Sequence, residues 1–139
     1  MVLESAQMIA TCVLQRHGRI TPYRPTHDKH PCNVWLRQRP EHLGWLVEHF
    51  VELATLFSQR SGRHHQTYLR YAPLLPEIRE LCTYTEPEYF ANCAANSELG
   101  ISFKDLPVVK AYQEYLKYRW NYTDVYKPTW TNRSQPPWL

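Results

Sequence analysis

Glycine is scarce in this chain, with 4 residues among 139. The sequence therefore lacks a glycine-rich loop that would cradle the phosphates of ATP, and it also lacks a nucleophile elbow and a convincing Ser/His/Asp triad. We expect no ATP-dependent chemistry, no nucleotide cofactor and no other cofactor. No run of about 18 apolar residues exists, so the sequence also predicts no membrane-spanning helix and no membrane partner.

Cysteine is sparse and irregularly placed, at positions 12, 32, 82 and 93. No signal peptide precedes these residues, so we expect free thiols in a reducing cytoplasm rather than a disulfide scaffold. The charge is only mildly basic, with 16 Lys and Arg against 13 Asp and Glu. That balance permits nucleic acid as a partner without requiring it.

Aromatic residues are abundant, with 10 Tyr, 5 Trp and 4 Phe. Such rings serve equally well as core, as an interface or as platforms on which bases stack. The length of 139 residues fits one domain with a sizeable core. The sequence leaves the oligomeric state open.

The apolar spacing predicts helices and no strand. The predicted helices cover residues 1–16 with a stop at Gly18, Pro31 to Arg37, about Pro40 to Arg60 with a stop at Gly62, 66–71, 76–82, and Pro107 to about Trp120 with Asp105 as cap. The predicted apolar faces are Leu3, Ala6, Ala10, Val13 and Leu14 in the first helix, Leu43, Leu46, Phe50, Leu53 and Phe57 in the long one, and Val108, Val109, Tyr112, Tyr115 and Leu116 in the last. The fold is predicted to be all-α, a compact single-domain helical bundle over 1–139 with an extended aromatic tail at 121–139.

The first helix has no capping Ser, Thr, Asp or Asn in front of it. The chain is therefore expected to open in mid-helix, either with a frayed end or with part of the element lying upstream of Met1.

The stretch from Thr26 to Arg37 combines imidazole and thiol groups, a Trp and two cations. His27, His30 and Cys32, with Cys12 and His17 upstream, are residue types suited to a zinc site, because zinc prefers imidazole and thiolate ligands. The spacing matches no known finger pattern, so no metal is predicted. The alternative is that His27 and His30 cap and brace the helix that starts at Pro31, while Cys32 is a small core residue.

Cations near the ends of the long helix and in the C-terminal third are suited to neutralising phosphates. The residues expected to contact DNA are His27, Trp35, Arg37, Arg60, Arg63, His64 and Trp130, with tryptophans as stacking platforms. A solvated basic rim over an aromatic core explains the same pattern. Glu4 is a candidate general acid or base, and His30 is the second catalytic candidate.

Four segments together resemble a group of phage and bacterial proteins: Met1-Val-Leu-Glu-Ser-Ala-Gln, Thr26-His-x-x-His-Pro-Cys-x-x-Trp-x-Arg, Arg60-Ser-Gly-Arg-His-His, and Pro137-Trp138. That group is more distantly similar to the pyrimidine dimer DNA glycosylase family, the phage endonuclease V type. The resemblance implies a helical, metal-free glycosylase and AP lyase for damaged or modified bases. In that family an N-terminal amine attacks the sugar C1′ and forms a Schiff base.

On this resemblance, Glu4 takes the role of the assisting carboxylate, and Glu4, His27, His30, Trp35 and Arg37 are expected to converge on one pocket. A phage-encoded protein would act in the host cytoplasm. The alternative is a non-catalytic helical adaptor or structural protein, in which the His/Trp motif is a structural lock and the aromatic surface binds a protein partner. A basic groove near Glu4 would favour the enzyme, and an exposed apolar patch would favour the adaptor.

Overall fold

The computed structural model describes residues 1–124, 127–130 and 133–139. It is mostly helical, which confirms the predicted all-α class. The chain divides into two compact units, residues 1–89 and residues 90–139, and each is described by itself. The prediction of one domain over 1–139 stays a prediction. Among the described residues, no helix combines the length and the apolar character that crossing a bilayer needs.

The first helix, α1, spans Val2–His17 and ends where Gly18 adopts a left-handed conformation with φ of 64°. Its buried side chains recur with helical spacing and include Ala6, Ile9, Ala10 and Val13. Leu3 and Leu14, predicted to share this face, are 41% and 36% exposed. The buried face also includes Cys12 and the polar residues Ser5 and Thr11, which the apolar spacing did not reveal.

Helices α2 (Pro31–Gln38) and α3 (Pro40–Ser61) follow, separated by the extended residue Arg39. Each begins with a proline, which lacks only an N–H that a first helical turn leaves unpaired. Helix α3 ends at Gly62, where φ is 70°. Leu43, Leu46 and Phe50 are buried as predicted. The C-terminal part of the predicted apolar face of α3 is less buried, since Leu53 and Phe57 are only half-buried.

The core of the first unit lies where α1 packs against α3, α2 and α4 (Gln66–Tyr71). A 3₁₀ turn (Ala72–Leu74) leads from α4 into α5 (Leu75–Glu80), close to the predicted 76–82. Tyr71, at the end of α4, is fully buried and packs edge-on against Phe50 with 5.5 Å between ring centroids.

The second unit contains a hairpin of β1 (Ala95–Asn96) and β2 (Ile101–Ser102), in which Ala95 pairs with Ser102 and Asn96 with Ile101. The expectation of no strand is wrong here, because two-residue strands are too short to show an alternating pattern. Helix α6 spans Val108–Tyr118 and continues as a π-helical turn, Arg119–Thr123.

The start and the face of α6 both differ from the prediction. Its N-cap is Pro107, with no side-chain cap, so Asp105 does not cap it. Of the predicted apolar face, Val109 is 67% exposed, and the buried residue of the helix is Ala111. Residues 121–123 of the predicted extended tail belong to the π-helical turn, while Val125, Tyr126, Thr131 and Asn132 lie outside the described residues.

Candidate nucleic-acid interface

The loop before α2 is held in a strained conformation. His27 has φ of +49°, a left-handed backbone that costs of order 1–3 kcal/mol for a residue with a side chain. The buried amide of Asn33 stabilises it by donating to the carbonyl oxygens of Thr26, at 3.0 Å, and His27, at 2.8 Å. Thr26 is also tied to α1, since its N–H donates to Thr11 Oγ1 at 3.0 Å. The exposed imidazole of His27 therefore lies on a loop whose backbone is held by hydrogen bonds to Asn33 and Thr11.

His30 caps α2, because its Nδ1 accepts a hydrogen bond from the N–H of Cys32 at 3.2 Å. The predicted capping role of His30 is confirmed, and that bond requires the neutral ring's proton to lie on Nε2. Cys32 is half-buried rather than a core residue. Within residues 1–89, the ligand atoms of His27, His30, Cys32, Cys12 and His17 form no metal-binding group of three. The catalytic role of His30 stays a prediction.

Trp35 lies inside the first unit and is only 6% exposed. Its indole N–H donates to the carbonyl of Tyr89 at 2.8 Å, and its ring stacks on His42 with 4.2 Å between centroids. His42 Nδ1 lies 2.6 Å from the Trp35 carbonyl, so Nδ1 donates the hydrogen. Stacking on a base, the role predicted for Trp35, would require this ring to leave its site.

Arg37 also has a structural contact, since its Nη2 donates to the carbonyl of Asp28 at 2.8 Å. Its Nη1 is buried and has no hydrogen-bond partner in the described part of the chain. The guanidinium therefore braces the loop at residues 26–30. A phosphate contact by Arg37 would compete with that bond.

Glu4 is exposed and forms an ion pair with the amino group of Met1. A hydrogen bond from this amino group is the largest cause that lowers the pKa of Glu4 below its usual value, and a hydrogen bond from the backbone of Glu4 itself is the second. Among the described residues, no hydrogen bond or ion pair joins Glu4 to His27, His30 or Arg37. The expected pocket around Glu4 is therefore not assembled by direct contacts in this structure.

Two long stretches, residues 5–27 and 53–76, contain no Asp or Glu. They meet in the first unit, because the Tyr23 hydroxyl donates to Thr67 Oγ1 at 3.2 Å and the Tyr23 ring stacks on Tyr71 with 5.8 Å between centroids. The guanidinium of Arg70 lies 5.9 Å from the centre of the Tyr23 ring. We call the exposed arginines of the two stretches the arginine surface: Arg16, Arg19, Arg24, Arg60, Arg63 and Arg70.

Four arginines of this surface, Arg16, Arg24, Arg63 and Arg70, form no ion pair with an acid among the described residues. Arg19 pairs with Glu77 at 3.5 Å, at the border of the second stretch. Nearby His17 has a lowered pKa, first because burial disfavours its charged form and then because Arg16 and Arg19 repel a further positive charge. Of the predicted DNA contacts, Arg60, Arg63 and His64 lie on these stretches, and His27 ends the first of them.

Several cations elsewhere in the described part of the chain are paired with neighbouring acids. In the second unit, Lys110 and Lys117 both contact Glu114, at 2.7 and 3.5 Å, and Arg119 lies 2.6 Å from Asp124. The positive charge of the C-terminal third is thus partly neutralised by acidic residues that are close in sequence. The arginine surface is a better place for a polyanion.

Trp130, the remaining predicted DNA contact, lies in the second unit. Its ring meets Trp120 edge-on with 6.1 Å between centroids, and Trp138 stacks on the same Trp120 at 6.0 Å. Trp130 is half-buried, so it contributes to this three-tryptophan cluster. A DNA contact by Trp130 stays a prediction.

Sequence reasoning missed five residues of the arginine surface and its support: Arg16, Arg19, Arg24, Arg70 and Tyr23. The signal was the absence of acidic residues from 5–27 and 53–76, which the overall charge conceals. Comparison of the chain with family models, with curated proteins and with solved structures finds no match. The resemblance to pyrimidine dimer glycosylases therefore stays a prediction.

Proposed function

We propose that this protein binds duplex DNA through the arginine surface. The observation that carries the proposal is the contact between two acid-free stretches that bring exposed arginines to the same unit. Arginine suits phosphate, because its planar guanidinium donates two parallel hydrogen bonds to one anion. The cations used are arginines alone, and neither stretch contains a lysine.

The resemblance extends this proposal to DNA that carries damaged or modified bases. Glu4 is exposed and ionised, as an assisting carboxylate in base excision has to be before it takes up a proton. Glu4→Gln is expected to abolish release of the damaged base and to leave DNA affinity within about twofold, because Glu4 lies outside the arginine surface. Loss of binding in parallel with activity would assign Glu4 to folding or binding instead.

The DNA-binding proposal is tested by fluorescence anisotropy of a labelled 20-base-pair duplex at several salt concentrations. Each phosphate contact contributes about 0.9 to the slope of log affinity against log salt. Arg24→Ala combined with Arg63→Ala should therefore flatten the slope by about 1.8. Both side chains are exposed, so the double variant should fold normally.

The matched control is Arg79→Ala, since Arg79 is already paired with Glu48 at 3.0 Å. This variant should leave the slope unchanged. Absence of binding at low salt, or equal effects of the control and the double variant, would contradict the proposal. The protein-binding adaptor would then be the better hypothesis.

A further inference from the structure

Ile20 is the most exposed large hydrophobic residue among those the structure describes, at 88%. It follows Arg19 directly and precedes Arg24 by four positions, within the loop of residues 18–25 that we call the Ile20 loop. A single exposed apolar side chain is ordinary on a protein surface. What sets Ile20 apart is how rigidly its loop is held and which charges surround it.

The Ile20 loop is anchored on both sides of Pro22. Thr21, the next residue after Ile20, donates from Oγ1 to the carbonyl of Tyr23 at 3.3 Å and lies 3.1 Å from the hydroxyl of Tyr71. Tyr71 is fully buried, and its hydroxyl donates to the carbonyl of Ala6 in α1 at 2.8 Å. Ile20 is therefore presented to solvent from a fixed base, with little conformational entropy left to lose on binding.

The charges next to Ile20 in sequence favour a polyanion, and Glu77, 3.5 Å from Arg19, is the acid that contacts them. The acid-free stretch 5–27 contains the whole loop, and exposed Arg16, Arg19 and Arg24 surround Ile20 in sequence. An apolar tip between arginines matches the way proteins enter the minor groove, where arginines occupy the narrow groove and an apolar side chain enters between base pairs.

We propose that Ile20 is a wedge that inserts between two base pairs from the minor groove while the exposed Arg24, which forms no ion pair with an acid in the described part of the chain, contacts a flanking phosphate. The inference rests on the proposed DNA binding and adds the mode of binding. Unstacking is cheapest at pyrimidine–purine steps, which are flexible and easily kinked, so the wedge should prefer a TpA step. The DNA should bend toward the major groove.

The test uses the full chain and a duplex in which 2-aminopurine replaces the adenine of a central TpA step. Insertion of Ile20 should unstack the probe and raise its fluorescence. Ile20→Ala should abolish most of that rise and weaken binding by about tenfold, since it removes most of an apolar side chain that becomes buried. Ile20→Leu should retain both signals. Val109→Ala is the control, because Val109 is also exposed but lies on α6.

The outcomes separate the two proposals. If Ile20→Ala binds as tightly as the original protein with the same fluorescence rise, the wedge is wrong and DNA binding stands. If the original protein does not bind the duplex at low salt, both proposals fail. Ile20-dependent binding to vesicles of phosphatidylcholine and phosphatidylserine, without binding to DNA, would overturn the wedge and assign the loop to an anionic lipid surface. Thermal unfolding of each variant verifies that it folds.

Discussion

Tyr71→Phe tests whether one buried hydroxyl joins the Ile20 loop to the core. The ring of Tyr71 is fully buried and would stay in place, packed on Tyr23 and Phe50. Only the oxygen is lost, and with it the 2.8 Å hydrogen bond to the carbonyl of Ala6 and the 3.1 Å contact with Thr21 Oγ1.

The expected loss of stability is about 1–2 kcal/mol. A net hydrogen bond contributes about 1 kcal/mol, and the upper value applies if the deprived partners stay dry. Thr21 keeps its hydrogen bond to Tyr23, which argues against a larger loss. Truncation to alanine would also remove the ring and should cost about 3–5 kcal/mol. The two variants therefore separate the hydroxyl from the packing.

Equilibrium urea unfolding measures the effect as a lower midpoint with an unchanged slope. Tyr122→Phe is the control, because Tyr122 is 76% exposed, and it should change stability by less than about 0.5 kcal/mol. A Tyr71→Phe protein as stable as the original, or a control with an equal loss, would refute the reasoning. If the loop is held as we infer, Tyr71→Phe should also reduce the 2-aminopurine signal.

The pH dependence gives an independent readout of the same hydroxyl. Burial raises the pKa of Tyr71 from 10.0 to about 12. The unfolded chain therefore loses this proton at lower pH than the folded one, so the stabilisation is complete below about pH 10 and disappears as the pH rises toward 12. Tyr71→Phe should lose less stability over this interval. A loss as large as that of the original protein would place the titrating group elsewhere.

Local signals in the sequence were sufficient to predict the helices. For α3, a proline at the first position, an apolar residue every three or four positions and a closing glycine predict about 40–60, and the structure has Pro40–Ser61. The buried face of α1 was less predictable, because Thr11 is buried through its bonds to Thr26, 15 residues away. Apolar spacing contains no information about such partners.

In the candidate site too, some features depend on neighbours in sequence and others depend on residues that are far away in sequence. Capping by His30 is local, since the acceptor and the N–H of Cys32 are two residues apart. The burial of Trp35 depends on Tyr89, 54 positions later, and the arginine surface depends on the contact of Tyr23 with Thr67, 44 positions later. The sequence therefore identifies residues whose side chains are suited to binding or catalysis, whereas the fold determines which of them remain accessible to a ligand.

Two further predictions concern the packing of α3. Gly44→Ala should lower the free energy of unfolding by about 1–3 kcal/mol despite the better helix propensity of alanine, because the added Cβ would lie 2.3 Å from the carbonyl oxygen of Thr83. In Gly18→Ala the added Cβ meets nothing within 4 Å. That variant should therefore lose only the energy of placing alanine in a left-handed backbone conformation, about 1–2 kcal/mol. Urea unfolding of both variants measures the losses, and a Gly44→Ala protein as stable as the original would contradict the clash. His49 stacks on Trp45 with 4.9 Å between centroids, and burial lowers its pKa from 6.5. The unfolded chain then binds a proton that the folded chain resists, so stability should fall as the pH drops below about 6.5 and should fall less in His49→Gln. Unfolding at pH 7.5 and at pH 5.5 should show this difference as a larger shift of the urea midpoint in the original protein. Equal shifts in the two proteins would mean that His49 does not titrate differently on folding.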